Sequence, residues 1–491
     1  MISKYILIIY FFRIEGENNM KYEYHAVVIG AGSAGLVVAS GASGLGAKIA
    51  LIEKNKMGGD CLNYGCVPSK SLIKSAHVAK TIKDGSNFGI TSSETKVNLN
   101  KIMTRVNDVI ESIAPHDSKE RYEGLGVDVF DGTAIIIDKH HVKVNDKLLS
   151  CKNIVIATGS KPNIPPIKGL KEAKFYTNET IFKLNKLPKH LVVLGAGPIG
   201  SELGQAFKYL GSEVTIVDRA TTLFKKDDFE ASQVMLKQFK NDGINLKLGA
   251  SILEIKQNET NQEVIIEING IKESLIADAI LVSLGRHSDT KDLGLEKLEI
   301  KMDKNNRIIS NEKLQTSISN IYLCGDVVGP YAFTHMASYQ ASIVIQNMIF
   351  PIKKKVNYSN VPWVTYTSPE VAHVGYTEQD LIAKNIKYHK YSENLASNDR
   401  ARAEGLKNGF LKILVNHKGI VIGATMVGDK AGEQISLANM AISKKMNIKD
   451  FASLTIAYPT ESEIYKSLAF KAIKEGFTPF KKKIVKKLFF S

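Results

Sequence analysis

The chain has 491 residues, of which 44% are hydrophobic and 23% charged, and its lysines and arginines outnumber its acidic residues by enough to give a formal net charge of +15. This length predicts roughly three domains of ordinary size. The 4 cysteines are too few for a disulfide-stapled secreted protein, and no apolar stretch is long enough to span a bilayer. We therefore expect a multidomain enzyme of the cytoplasm.

Residues 1–19 are predicted to be a non-native leader with no role in the fold. Their apolar run, residues 5–12, is much shorter than a membrane span, and no small-residue cleavage site follows it, which disfavours the alternative of a signal peptide. Residues 15–19 can be encoded by a purine-rich sequence of the kind that binds ribosomes, placed just before Met20. Met20 is therefore the expected start.

The first motif predicts a dinucleotide-binding βαβ unit. Residues 26–29 form a continuous apolar run, as in a buried parallel strand, and Gly30, Gly32 and Gly35 follow in a G-x-G-x-x-G pattern. The glycines allow a tight turn, close approach of a pyrophosphate and packing of the next helix. Glu53 ends the second strand, where a carboxylate can accept hydrogen bonds from ribose hydroxyls.

The same pattern recurs later in the chain. Its glycines are Gly195, Gly197 and Gly200, and Asp218 ends the following strand. In both copies the acid lies 23 positions after the first glycine. The matching offset predicts two dinucleotide sites, one for a tightly held flavin and one for a diffusible nicotinamide, so that a hydride can pass between them.

Four residues separate Cys61 from Cys66, directly after the first of these units. Alone, this spacing also fits half a zinc site or two unrelated buried thiols. Cys151 and Cys324 stand singly in apolar segments, and we expect both to be buried thiols of the core. No further ligands cluster in the sequence, so no metal site is predicted.

With Val67-Pro68-Ser69-Lys70 directly after Cys66, the chain from about residue 21 to residue 463 resembles the class I pyridine nucleotide-disulfide oxidoreductases, or flavoprotein disulfide reductases. Glutathione reductase, dihydrolipoyl dehydrogenase and mercuric reductase are members. The resemblance implies an α/β fold with two Rossmann-like domains, for FAD and NAD(P), and a C-terminal α+β dimerisation domain. The expected bounds are 20–165 with 290–355 for FAD, 166–289 for NAD(P), 356–470 for dimerisation and 471–491 for a basic tail.

The resemblance also implies roles for individual residues. Cys66 would be the thiol beside the flavin, and Cys61 the thiol that attacks substrate. Lys70 would lie by the flavin ring and pair with Glu202. The expected FAD contacts are Gly30, Gly32, Gly35, Glu53, Lys54, Lys70, Ala134, Thr158, Gly159 and Asp326. The expected NAD(P) contacts are Gly195, Gly197, Gly200, Glu202, Asp218 and Gly285.

The substrate question depends on Tyr458. Most family members carry His-Pro-Thr-x-x-Glu in the dimerisation domain, where the imidazole is a general acid and base for the partner subunit, whereas this chain has Tyr458 and Glu463 at the two ends of that motif. A phenol with a pKa near about 10 is a poor base at neutral pH, and such a base is worth about 10²- to 10⁴-fold in rate. Slow oxidation of dithiols is therefore expected.

Tyrosine at this position resembles mercuric reductase, since reduction of a metal ion needs no such proton transfer. A paired-cysteine N-terminal domain and vicinal cysteines near the C-terminus are missing from the sequence, so efficient mercury reduction is not expected. The acceptor, a small molecule or a metal ion, stays undetermined. The alternatives are a dihydrolipoyl dehydrogenase and, in another class, a flavin-bearing scaffold or electron-transfer protein without turnover.

The nicotinamide coenzyme also stays open between NADH and NADPH. Asp218 fits an unmodified ribose and repels a 2′-phosphate, whereas Arg219, Lys225 and Lys226 attract one. We favour NADH.

Much of the net charge lies at the C-terminus, where residues 471–491 hold seven lysines and one glutamate. No recognition motif for nucleic acid accompanies them. Ile484 and Leu488, like Val485 and Phe489, are four apart, so on a helix they form an apolar stripe between lysines. The pattern is typical of contact with the inner membrane face, whereas a solvated or self-docked tail is the alternative that we favour.

Overall fold

The computed structural model describes residues 22–91, 96–406 and 408–490. The predicted leader, residues 1–19, lies outside the described residues. Within them the chain forms two parallel-sheet units followed by an antiparallel sheet with helices, which confirms the α/β fold class predicted from the sequence.

The strands are, in chain order, β1 (Tyr24–Ile29), β2 (Ile49–Glu53), β3 (Val127–Asp131), β4 (Ala134–Asp138), β5 (His141–Val144), β6 (Lys147–Ile156), β7 (Ser160–Pro162), β8 (Phe175–Tyr176), β9 (His190–Leu194), β10 (Glu213–Asp218), β11 (Asn245–Leu248), β12 (Ser251–Gln257), β13 (Gln262–Ile268), β14 (Ile271–Ala277), β15 (Ala279–Val282), β16 (Arg286–Ser288), β17 (Ile321–Leu323), β18 (Pro362–Thr365), β19 (Glu370–Gly375), β20 (His389–Asn394), β21 (Phe410–Val415) and β22 (Val421–Gly428).

The α-helices are α1 (Ser33–Ser43), α2 (Gly59–Asn63), α3 (Cys66–Lys83), α4 (Leu99–Ile113), α5 (Lys119–Gly124), α6 (Pro198–Leu210), α7 (Phe229–Asn241), α8 (Thr334–Ile349), α9 (Glu378–Ala383), α10 (Asp399–Ala403), α11 (Ala431–Ser443), α12 (Glu463–Gly476) and α13 (Pro479–Phe489). Among the described residues, none of these helices combines the length and apolar character that crossing a bilayer requires.

The first unit is a parallel sheet in the order β3-β2-β1-β6, with β17 added beside β6 and the antiparallel strands β5 and β4 beyond it. Alternate residues of β1 face opposite sides, so Val28 packs under α1 and α8 while Val27 packs against the β4–β5 meander. Burial on both faces explains the continuous apolar run of β1. Because β1 lies between β2 and β6, the turn after it opens at a topological switch point.

The second unit repeats this arrangement in the order β11-β10-β9-β15-β8, with all neighbours parallel. The switch point therefore follows β9, directly before Gly195. An antiparallel sheet of β12, β13 and β14 lies after it in the chain.

The C-terminal domain contains an antiparallel sheet in the order β18-β19-β22-β21-β20. Its core joins Met426 of the sheet to Phe451 and Tyr465, all of them fully buried. The structure differs from the sequence prediction at the end of this domain. Residues 471–476 are the last turns of α12, and Ala472 is buried in the core, so the part beyond the folded domain is shorter than the predicted 471–491 tail.

Candidate active site

A cavity of about 1720 Å³ is lined by residues of both parallel-sheet units and of the C-terminal domain. Ligand pockets usually measure about 300–1,000 Å³, so this cavity can hold more than one small molecule. The predicted site residues on its wall are Gly30, Gly32, Glu53, Lys54, Cys61, Cys66, Lys70, Ala134, Thr158, Gly159, Gly195, Gly197, Glu202, Asp218, Gly285 and Asp326. The cavity wall does not include Gly35, Gly200, Tyr458 or Glu463.

The glycine turns of the two units have the same geometry. Gly30 and Gly195 adopt φ angles of +103° and +111°, in the region that favours glycine. A Cβ on Gly35 would lie 1.8 Å from the Gly30 carbonyl oxygen, and one on Gly200 would lie 2.0 Å from that of Gly195. The third glycine of each motif therefore serves the packing of helix on turn, which is why neither lies on the cavity wall.

The acidic side chain at the end of the second strand of each unit accepts a hydrogen bond from the backbone of the glycine turn. Glu53 accepts a hydrogen bond of 2.7 Å from the Ala31 N–H, and Asp218 accepts one of the same length from Ala196. The other oxygen of each carboxylate accepts a backbone N–H two residues further on. Each carboxylate oxygen keeps a second lone pair for a ribose hydroxyl.

The first unit fits a flavin dinucleotide. The Thr158 hydroxyl is buried on the cavity wall with no hydrogen-bond partner among the described residues, and Gly159, at φ +71°, would place a Cβ in open space. The carboxylate of Asp326 accepts a hydrogen bond of 2.7 Å from Ser160, and burial raises its pKa. Lys54 is held by an ion pair of 2.9 Å with Asp289.

The cysteine pair lies where two helices meet. Cys61 belongs to α2, and Cys66 is the first residue of α3. Both are thiols in this structure. The Thr334 hydroxyl, at the start of α8, donates a hydrogen bond of 3.1 Å to the sulfur of Cys61 and lies 3.6 Å from that of Cys66. Three helix ends therefore converge on the two sulfurs.

The two thiols differ in acidity. The hydrogen bond from Cys61, helped by the Thr334 hydroxyl and the Lys70 ammonium, lowers the pKa of Cys66 to about 6 although burial opposes this shift. The same sulfur–sulfur hydrogen bond, together with burial, raises the pKa of Cys61. At neutral pH Cys66 is thus the thiolate, and Cys61 holds the proton. Lys70 also favours the thiolate, but Cys61 contributes more.

Lys70 and Glu202 form the predicted ion pair, at 2.9 Å between Nζ and the carboxylate. Glu202 is buried and also accepts the Tyr366 backbone N–H at 2.8 Å. The Lys70 ammonium lies 4.3 Å from the centre of the Tyr366 ring. Burial lowers the pKa of Lys70, but the Glu202 carboxylate outweighs it and leaves that pKa raised, so the ammonium stays charged. The role of this pair beside a flavin stays a prediction.

Tyr458 and Glu463 lie apart from the cysteines of their own chain. The Tyr458 side chain is 71% exposed, and its hydroxyl donates a long hydrogen bond of 3.4 Å to Asp399. Glu463 is the first residue of α12. The carboxylate that this phenol contacts is Asp399. Their action in the site of a partner subunit stays a prediction.

Sequence reasoning missed several residues on the cavity wall, among them Thr334, Tyr366, Arg286 and His335. The N–H at His335 Nε2 donates to the Pro362 carbonyl oxygen at 2.8 Å, which leaves the lone pair on Nδ1. Burial lowers the pKa of His335, so the ring is neutral at pH 7.

A carboxylate cluster that the sequence pattern does not reveal lies outside the cavity. Asp228, Glu230 and Glu378 come close enough together to hold a cation. The buried Lys412 ammonium already lies among them, at 3.0, 2.8 and 3.3 Å from the three carboxylates. The cluster is thus an ion-pair network that ties α7 to the C-terminal sheet.

Two sheets with matched glycine turns, a shared cavity and a cysteine pair with one acidic thiol define a two-dinucleotide oxidoreductase. Residues 24–341 match the family described as pyridine nucleotide-disulphide oxidoreductase, and residues 361–469 match its dimerisation domain. The chain belongs to this family. It is accordingly an NAD(P)H-dependent flavoprotein oxidoreductase whose cofactors are FAD and NAD(P)H, as the sequence predicts, and its dimerisation domain supports a homodimer.

Relatives with different activities are equally similar to this chain. Mercuric reductase of Lysinibacillus sphaericus is 34% identical over 441 residues, which are 90% of this chain and 81% of that protein. Dihydrolipoyl dehydrogenase of Mycoplasma genitalium is 33% identical over 467 residues, which are 93% of this chain and 100% of that protein. Sequence similarity alone therefore does not choose the acceptor.

A solved structure, the HOCl-induced flavoprotein disulfide reductase RclA from Escherichia coli, superposes with a TM-score of 0.82 at 26% identity and covers 91% of this chain and 99% of its own. The Cu(II) complex of the same protein superposes with a TM-score of 0.81 at 26% identity and covers 91% and 99% of the two chains.

Proposed function

We propose that this enzyme uses NAD(P)H to reduce a thiophilic metal ion through the Cys61–Cys66 pair. The observation that carries the proposal is the pair of sulfurs with unequal acidity, combined with a tyrosine at position 458. Bound FAD supplies the two-electron relay between the nicotinamide and the cysteines. In balance, NAD(P)H gives NAD(P)⁺, a proton and two electrons, which reduce one Hg(II) to Hg(0) or two Cu(II) to Cu(I).

The acidity of the two thiols suits a metal ion better than a dithiol. Cys66 is a thiolate at neutral pH and binds a soft cation directly. Cys61 holds its proton, but coordination to a metal releases a thiol proton without a dedicated base. A disulfide or dithiol substrate instead needs a group that moves this proton during exchange, and a phenol is poorly suited to that task.

Two relatives make particular ions worth testing, since one is a mercuric reductase and another has been solved as a Cu(II) complex. For the coenzyme we propose NADH over NADPH. Both oxygens of Asp218 already accept backbone N–H groups, which holds its negative charge where a 2′-phosphate would bind. Lys225 and Lys226 lie on the same cavity wall and oppose this preference.

Dihydrolipoyl dehydrogenase activity is the second candidate, and His335 is the observation that favours it. This neutral imidazole lies on the cavity wall beside Thr334, with its Nδ1 lone pair available as a base within the same chain. Dithiol turnover that depends on His335 would make Tyr458 irrelevant to the choice of substrate.

The test compares NADH oxidation by the FAD-loaded enzyme with Hg(II), with Cu(II) and with lipoamide, and dihydrolipoamide oxidation in the reverse direction. We expect metal-dependent turnover in the wild type that is lost in Cys61→Ser, and slow dihydrolipoamide oxidation that Tyr458→His raises about 10-fold or more. Rapid dihydrolipoamide oxidation that His335→Gln abolishes and Tyr458→His leaves unchanged would replace the proposal with the second candidate.

A further inference from the structure

The C-terminal helix, α13, has an apolar side and a basic side. Phe480, Ile484 and Leu488 are spaced four residues apart and so lie along one face, with Phe489 beside them. Lys482, Lys483 and Lys486 lie on the opposite face. Lys481 falls within the apolar side, but its ammonium turns back to donate to the Gly476 carbonyl oxygen at 3.2 Å.

Within the described part of the chain, α13 contributes no buried residue to the fold. Phe480, Leu488 and Phe489 are 72%, 68% and 73% exposed. Phe470 and Phe477, on and just after α12, are about half exposed and extend the apolar surface. Large exposed apolar surfaces of this kind mark sites of interaction.

The helix is also poorly stabilised by its own sequence. It has 11 residues, with Lys481, Lys482 and Lys483 near its N-terminus and no acidic residue in the first turn. Cations there oppose the helix macrodipole, and isolated helices shorter than about 12–15 residues are marginal in water. The Thr478 cap and Pro479 favour its start. A surface that buries the apolar side and carries negative charge near the lysines would supply the missing stability.

We propose that α13 docks the enzyme on an anionic lipid bilayer. Its apolar side enters the boundary between headgroups and acyl chains, and its lysines lie at the level of the negatively charged headgroups. Charge complementarity favours this occupant over a second copy of the helix, since the segment 479–490 contains five lysines and no acidic residue. The apolar side distinguishes it from a nucleic-acid contact, which would use the lysines alone.

The test is sedimentation of the FAD-loaded, full-length enzyme with vesicles of phosphatidylglycerol and phosphatidylcholine, with pure phosphatidylcholine vesicles alongside. We expect pelleting only with the anionic vesicles, and a loss of binding as salt rises above about 0.5 M. A chain that ends at Gly476 should bind at least about 100-fold more weakly, because it loses five lysines and the apolar side. Replacing Lys482, Lys483 and Lys486 by glutamine should weaken binding about 10- to 100-fold.

The matched control replaces three exposed lysines elsewhere, Lys297, Lys301 and Lys304, by glutamine, and should bind as the wild type does. NADH oxidation with an artificial acceptor should be unchanged in every variant, so that failure of docking is separate from failure of the proposed function. Equal pelleting of the full-length and shortened chains would overturn the proposal. A shortened chain that sediments as a monomer in the ultracentrifuge would overturn it too, since α13 would then serve the dimer.

Discussion

The Thr334 hydroxyl contacts both reactive sulfurs, so replacing it by valine of the same shape should change their acidity. A hydrogen bond to a charged group is worth about 1.5–3 kcal/mol, which corresponds to about 1–2 pKa units. Two features make the expected shift in the pKa of Cys66 smaller. The contact with Cys66 is long, at 3.6 Å, and the single hydroxyl proton is shared with the Cys61 sulfur at 3.1 Å. We therefore expect Thr334→Val to raise the pKa of Cys66 by about 0.5–1 unit.

A thiol reacts as its thiolate, so alkylation increases with pH through the pKa, which the wild type places at about 6. At that pH the variant should be alkylated about two- to fivefold more slowly. The assay follows iodoacetamide labelling of the Cys66 peptide in reduced enzyme by mass spectrometry across pH. Thr334→Ser, which keeps the hydroxyl, is the control. An unchanged inflection in Thr334→Val would refute the assignment of Thr334 to the acidity of Cys66.

Three further predictions concern the flavin side of the site. Two-electron reduction should give a long-wavelength charge-transfer band that Cys66→Ser abolishes and Cys61→Ser retains, and identical spectra for the two variants would show that the roles of the thiols are misassigned. Gly35→Ala should yield protein depleted of FAD, because the new Cβ would lie 1.8 Å from the Gly30 carbonyl oxygen. The control is Gly124→Ala, where a Cβ meets nothing within 4 Å, and this variant should retain FAD. Full FAD content in Gly35→Ala, measured by absorbance, would contradict the packing role of Gly35. Glu202→Gln should leave Lys70 without its carboxylate and reduce the rate of flavin reduction by NADH about 10-fold in stopped-flow measurements, and a wild-type rate would exclude the ion pair from this step.

The parts of the site that could be predicted are those whose geometry is local in sequence. The turn after each first strand needs glycine because its backbone has positive φ, and the 23-residue offset from Gly30 to Glu53 repeats between Gly195 and Asp218 because the same βαβ unit is built twice. Those constraints act over a few residues, so the pattern alone reveals them.

Contacts between distant segments could not be predicted in this way. Thr334 lies 268 residues after Cys66, and Tyr366 lies 164 residues after the Glu202 that its N–H contacts. A threonine or tyrosine at such a place has no distinguishing pattern. The start of the tail differs from the predicted residue 471 for a related reason. The lysines from residue 471 onward reflect the exposed side of α12, whereas its buried side carries Ala472.

Electrons from NAD(P)H should reach the Cys61–Cys66 disulfide. The direct measurement adds NADH to the oxidised, FAD-loaded enzyme without oxygen, quenches with acid, and counts alkylated thiols in the peptide that carries both cysteines. We predict no label before NADH, two labels after it, and no gain in label when both cysteines are replaced by serine. Turnover of the acceptor with this peptide unlabelled throughout would show that electrons bypass the two cysteines.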